Sequence, residues 1–188
     1  NGGKATTSSA PATTGSSSAP PATGVTAAAV SIYNSDSTEA EGQLVNNQIG
    51  DKGWFTNQYC SPTPTYNGDP KGTGLVFDLG SAKSVTSATV TIGTAGAAME
   101  MWTADPSVTA APAVVSGKPP AGFTHVVSTD AGTTTVTLKA DSPKTTRFVL
   151  IWFTKTLPAV PNPDLTKIKC GKETGNRYGD SIMSVKFN

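Results

Sequence analysis

The chain has 188 residues, with 14 Lys+Arg against 13 Asp+Glu, one His and two Cys, for a formal net charge of +1. This balance leaves no clustered basic footprint of the kind nucleic acid requires, and a single His excludes chemistry built on histidine clusters. Only 14% of the residues are charged, while Gly, Pro, Thr, Ser and Ala abound, a composition of secreted β-domains rather than of helical enzymes. No run of about 18 apolar residues is present, and no charged segment leading into an apolar stretch opens the sequence. Neither a membrane span nor a signal peptide is therefore expected within it.

Residues 1–24 consist of Ala, Ser, Thr, Pro and Gly except for Asn1 and Lys4. A segment with so little apolar surface to bury cannot offset its ordering entropy, so a disordered linker is expected there. A single domain is expected over 25–188, long enough for one core. Its periodicity is that of strands. Val25–Tyr33 opens the set. Thr38–Val45 offers the nearest thing to a short turn or helix. Leu75, Phe77 and Leu79 share one face of a strand ended by Gly80, and Ala88, Val90 and Ile92 alternate along Val85–Ile92. Met99–Trp102, Phe123–Ser128 and Thr133–Lys139 follow, the last with Val136 and Leu138 inward. Phe148–Phe153 (FVLIWF) is apolar on both faces and predicts a central strand covered on both sides. Met183, Val185 and Phe187 alternate at the end. Turn residues separate these runs at Gly80-Ser81, Asp105-Pro106, Pro119-Pro120, Asp130–Gly132 and Ser142-Pro143. About eight short antiparallel strands with Pro/Gly turns make an all-β sandwich of jelly-roll type.

Two connections, about 46–72 and about 155–180, are too long for hairpins, and such loops are commonly functional. Each holds one cysteine. In an oxidising compartment Cys60 and Cys170 are most simply one disulfide, closing a segment whose loop entropy corresponds to roughly 4–5 kcal/mol; otherwise they are two separate thiols. Neither has the CxxC or His neighbour of a metal site. The pairing would gather Trp54, Phe55, Tyr59, Tyr66, Asp69, Arg177 and Tyr178 at one end of the sandwich, with Asn57 among the hydrogen-bonding candidates. The second connection is basic, and Asp36, Glu39 and Glu41 form an acidic cluster facing either it or solvent.

The run GLVFDLGSAKSVTSATVTIG at 74–93 resembles the galactose-binding-like (discoidin, or F5/8 type C) sandwich, in which an apolar strand ends in DLG before a polar turn and a second strand. TTRFVLIWFT (145–154) and DSIMSVKFN (180–188) are similar to that family's penultimate long strand and its closing strand. Within the family the order NNQIGDKGW (46–54), GLVFDL (74–79), AMEMWTADPS (98–107) and RFVLIWFT (147–154) resembles the C-terminal extracytoplasmic domain of actinobacterial MviN/MurJ-type lipid II flippase homologues. The resemblance implies a cell-surface domain tethered to a transmembrane segment outside these residues. Family members commonly hold structural calcium with carboxylates of the first long loop; here only Asp51 remains, beside Lys52, and calcium prefers six to eight hard oxygens. No metal and no cofactor is expected.

His125 lies in a strand-like run without a nucleophile or acid beside it, so a structural or surface role is expected and no enzyme activity. Binding is the better expectation, because loop aromatics stack on sugars while Asn, Asp and Arg bond the hydroxyls. Trp54 serves either as such a platform or as a core cap; Tyr59 and Tyr66, among Pro and Gly, are candidates for exposure. Arg177 offers a planar fork to a carboxylate or phosphate. Trp102 and Trp152 are expected in the core or on a sheet face. The resemblance implies a monomeric, non-catalytic domain recognising cell-wall glycan or a peptidoglycan precursor. The alternatives are a module docking an envelope protein, as in a receptor kinase, and a carbohydrate-binding module of a secreted enzyme.

Overall fold

The computed structural model describes residues 2–3, 24–34, 44–66, 69–70, 72–115, 117–161, 163, 170 and 176–188. Most of the expected linker, the acidic cluster and residues 38–43 lie outside these residues. The described chain is all-β, and every strand pairing is antiparallel.

β1 (Ala29–Asn34) is followed by the two-residue strands β2 (Leu44–Val45) and β3 (Gln48–Ile49). Leu44 and Val45 are thus a hairpin arm rather than the expected turn or helix. Asn46 and Asn47 between them have φ of 50° and 58°; two successive positive-φ residues make the tight hairpin turn that Asn tolerates. β4 (Trp54–Phe55), β5 (Thr65–Tyr66) and β6 (Asp69–Pro70) precede the first long strand, β7 (Thr73–Ile92). β8 (Ala98–Ala104), β9 (Phe123–Asp130), β10 (Thr135–Phe153) and β11 (Ser181–Phe187) complete the chain.

The main sheet runs β4-β11-β7-β10-β8-β9, with β1 also on β7. The runs 75–79 and 85–92, expected as separate strands, are parts of β7; 135–139 of the expected run 133–139, and 148–153, likewise belong to β10. The signals read as breaks are bends. Gly80 turns the chain at φ 80°, which a side chain would resist, and its N–H donates to Asp78 Oδ1 at 2.8 Å. The register between β7 and β10 shifts between Lys139 and Lys144, where Pro143 would otherwise interrupt the ladder.

Each long strand thereby serves both halves of the sheet. β1 and β8 flank the half built on 73–78 and 148–153, and β11 flanks the half at 88–92. Leu75, Phe77, Val149 and Ile151 from the first half share one core with Ala88, Val90, Ile92, Leu138 and Phe187 from the second. The Phe77 and Phe187 rings meet edge to face at 5.3 Å, a contact worth about 0.5–1.5 kcal/mol beyond its buried area. This is the sandwich.

FVLIWF is covered on both faces, as its apolar continuity requires. Phe148, Leu150 and Trp152 form a second cluster with Tyr33, Val76, Ala104 and Phe123. Its cover includes a third long connection, 105–122, which the Asp105-Pro106 and Pro119-Pro120 breakers bracket without revealing its length. Val108 packs on the cluster, and the buried Tyr33 hydroxyl donates to the Lys118 carbonyl at 2.9 Å and accepts from Val115 N–H at 3.3 Å. Trp152 fits because Gly74 and Gly72 stand next to it: a Cβ at Gly74 would run into the Ile151 carbonyl oxygen, and one at Gly72 into the indole.

Gly74→Ala must therefore push apart two paired backbones, and we expect it to destabilise the domain by about 3 kcal/mol, the upper end of overpacking costs. Gly132→Ala, whose Cβ meets nothing within 4 Å, should change stability by no more than about 0.5 kcal/mol. Urea midpoints of the two variants check the pair; similar midpoints would contradict the packing described.

Candidate functional site

The two long connections meet. Cys60 and Cys170 are bonded, with Cα atoms 5.4 Å apart across 110 residues of sequence. Beside them Tyr59 N–H donates to the Tyr178 carbonyl at 2.8 Å and Tyr178 N–H returns a bond to Tyr59 at 2.9 Å. Val160 N–H donates to the Arg177 carbonyl at 2.7 Å, and Thr56 N–H to the Asp180 carbonyl at 2.9 Å. Residues 54–60, 157–160 and 177–181 are thus laced into one end of the sandwich.

The side chains expected to meet a ligand are mostly turned into this lacing. Trp54, Asn57, Tyr59 and Arg177 are all buried, so Trp54 takes the core-cap alternative, and Tyr59, a candidate for exposure, is packed inside together with Arg177. Trp54 caps the core because β4 pairs with β11, Ile182 facing Trp54 and Ser181 facing Phe55. Tyr178 is half-buried. Tyr66 and Asp69 pair across β5 and β6. His125 is exposed, its ring 5.2 Å from that of Trp102 and its Nε2 2.7 Å from Ser128 Oγ. Trp152 is buried and Trp102 half-buried, as expected for strand residues.

What this end presents instead is a pocket of about 160 Å³. Phe55, Thr56 and Gln58 come from the first connection, Val160, Pro161, Gly179 and Asp180 from the second, with Thr94 and Ser181 completing the wall. Phe55 is 44% exposed: adjacent residues of a strand point to opposite faces, so the pairing that buries Trp54 turns Phe55 outward.

Asp180 is the chemically distinctive group, only 7% exposed. Its Oδ1 accepts from Thr94 N–H at 2.9 Å and Ser181 N–H at 2.7 Å, and its own N–H donates to Thr56 Oγ1 at 3.0 Å. Its Oδ2 is buried with no partner among the described residues, as is Gln58 Oε1. Burial pushes the Asp180 carboxyl up to about 6, against the backbone N–H groups of Ser181, Thr94 and Gly93, which favour the charged form. Asp78 shows the opposite balance: hydrogen bonds from Arg147 hold it below the usual carboxylate value.

The sequence offered little sign of Asp180 beyond the rarity of its charge beside the start of an apolar strand. Asp51 is exposed in the turn after β3, and among the described residues no three of His, Cys, Asp or Glu come together.

No protein-family model matches the chain, and no curated protein matches it. Among solved structures it is similar to the family 32 carbohydrate-binding module of Clostridium perfringens NanJ in complex with galactose, at 16% identity over 84% of this chain and 90% of that one, TM-score 0.46. It is also similar to the family 32 module of AlyQ in complex with 4,5-unsaturated mannuronic acid, at 17% identity over 88% and 98%, TM-score 0.47. A third is chitosan-binding module 2 of a Paenibacillus sp. IK-5 chitosanase/glucanase in complex with chitotriose, at 14% identity over 85% and 94%, TM-score 0.46.

Because the folded-state pKa of Asp180 is raised to about 6 from 3.8, its contribution favours folding most below the lower value and is lost as pH rises through the higher one. Asp180→Asn removes that dependence. The stability difference between wild type and Asp180→Asn, measured by urea denaturation, should shift in favour of wild type as pH falls from 7 to 4. A difference independent of pH over that range would contradict the burial of this carboxyl.

Proposed function

We propose that the chain is a non-catalytic, extracytoplasmic glycan-binding domain, and that its site is the pocket between the two long connections. The observation that carries this reading is the pairing of an outward Phe55 ring with hydrogen-bonding groups on one small concavity. A sugar offers both halves of the complement, C–H faces for the aromatic ring and hydroxyl donors for the carboxylate and amide. Tyr178, two residues before Asp180, is a further contact, with Tyr66 and Asp69 of the first connection as outer ones. Trp54, Asn57, Tyr59 and Arg177 act beneath the site as its support. The Cys60–Cys170 disulfide supports an oxidising, extracellular setting. Among the described residues no helix is long and apolar enough to cross a membrane. The sequence resemblance to MviN/MurJ-type domains supports a peptidoglycan-related glycan or precursor as the ligand and an envelope protein, tethered to a membrane segment outside these residues, as the setting.

Phe55→Ala tests the site without touching the core, since the ring is largely outside it. In sedimentation with insoluble peptidoglycan the wild-type domain should bind, and the variant should lose about tenfold in affinity, roughly 1.4 kcal/mol. A variant that binds as the wild type does would put the site elsewhere.

A further inference from the structure

The two buried polar atoms without partners in the pocket wall, Asp180 Oδ2 and Gln58 Oε1, are both acceptors. One belongs to a carboxyl that burial pushes up to about 6, still below neutral pH. None of the described lining residues is Lys, Arg or His, so among the described residues the site holds two acceptors without donors and a carboxylate that meets only the backbone N–H groups of Thr94 and Ser181, at Oδ1, with no cation. A neutral hydroxyl answers only the first. A calcium ion answers the charge but needs several anionic oxygens, and one carboxylate is too few. A protonated amine answers both, with three N–H donors and one positive charge.

The rest of the wall restricts what carries the amine. Phe55, Val160 and Pro161 give apolar surface beside the acceptors, and the cavity of about 160 Å³ accommodates one ring rather than a folded chain. We propose that the pocket selects an amino sugar whose amine is free and protonated rather than N-acetylated, with the ring against Phe55 and the ammonium directed to Asp180 and Gln58. This rests on the glycan reading above and narrows it to a de-N-acetylated glycan. An acetyl group would replace the charge and two of the three donors with a neutral amide. Because both acceptor atoms are covered in the free chain, the ligand has to displace a wall side chain to reach them.

Isothermal titration at pH 7 with a glucosamine tetramer, an N-acetylglucosamine tetramer and a lysine-bearing peptide tests this, using wild type, Asp180→Asn, Gln58→Leu and Phe55→Ala. The expected result is at least tenfold tighter binding of the free-amine tetramer than of the acetylated one or the peptide, with that preference reduced to less than threefold in Asp180→Asn and Gln58→Leu. If circular dichroism shows Asp180→Asn unfolded, Gln58→Leu decides. Equal binding of the two tetramers, weakened for both by Phe55→Ala, would overturn amine selection and leave the glycan reading intact. Binding of neither tetramer would overturn amine selection, and sedimentation with insoluble peptidoglycan then decides the glycan reading. A peptide that binds as tightly as the free-amine tetramer would overturn the sugar assignment in favour of a peptide ammonium.

Discussion

The antiparallel ladder between β7 and β10 is the constraint on which the other elements depend. It runs from Thr135 opposite Thr91 to Phe153 opposite Thr73, far longer than a typical strand pair, and it bends in the middle. The bend makes one ladder serve both halves of the sandwich, so Phe77 and Phe187 belong to one core. Near it, Arg147 spans Asp78 with Nε and a terminal nitrogen, each at 2.8 Å, and donates to the Thr109 carbonyl at 3.1 Å. Both partners are partly exposed, and exposed ion pairs add little to stability. The fork's value is geometric: it joins β7, β10 and the 105–122 connection at one point.

From that ladder the position of the pocket follows. β11 lies beside the far half of β7, and β4 lies beside β11. Asp180 immediately precedes β11, and Phe55 ends β4, so the two are neighbours because Ser181 and Phe55 are paired. The disulfide holds the connections that approach from either side. The buried Trp54, Asn57, Tyr59 and Arg177 pack beneath that end.

Alternation made the strands legible in the sequence, because Ala88, Val90 and Ile92, or Val136 and Leu138, declare their faces without any tertiary information. The double-sided FVLIWF declared its own burial, and two cysteines in two long connections declared their bond. Bends were not legible. Gly80 and Ser142-Pro143 are written in the same residues that end strands, and only the partner strand decides whether the chain continues. The meeting of the two long connections was legible, and the orientation of the side chains there was not. In Trp54-Phe55 no alternation exists to set the phase, so register with β11 alone decides that the Trp goes in and the Phe out. Tyr59 and Arg177 look like loop residues by sequence and are buried by the lacing between loops. Asp180 could be placed only once Thr94, eighty-six residues earlier, was known to close over it.

The central claim, a glycan site at this end of the sandwich, is tested most directly by following the backbone amides of the isotopically labelled domain by NMR while soluble peptidoglycan fragments are added. The account predicts saturable shifts at Phe55, Gln58, Thr94, Val160 and 179–181, with the opposite end of the sheet unmoved. An absence of shifts at millimolar ligand, or shifts centred on Trp102 and His125 instead, would contradict it.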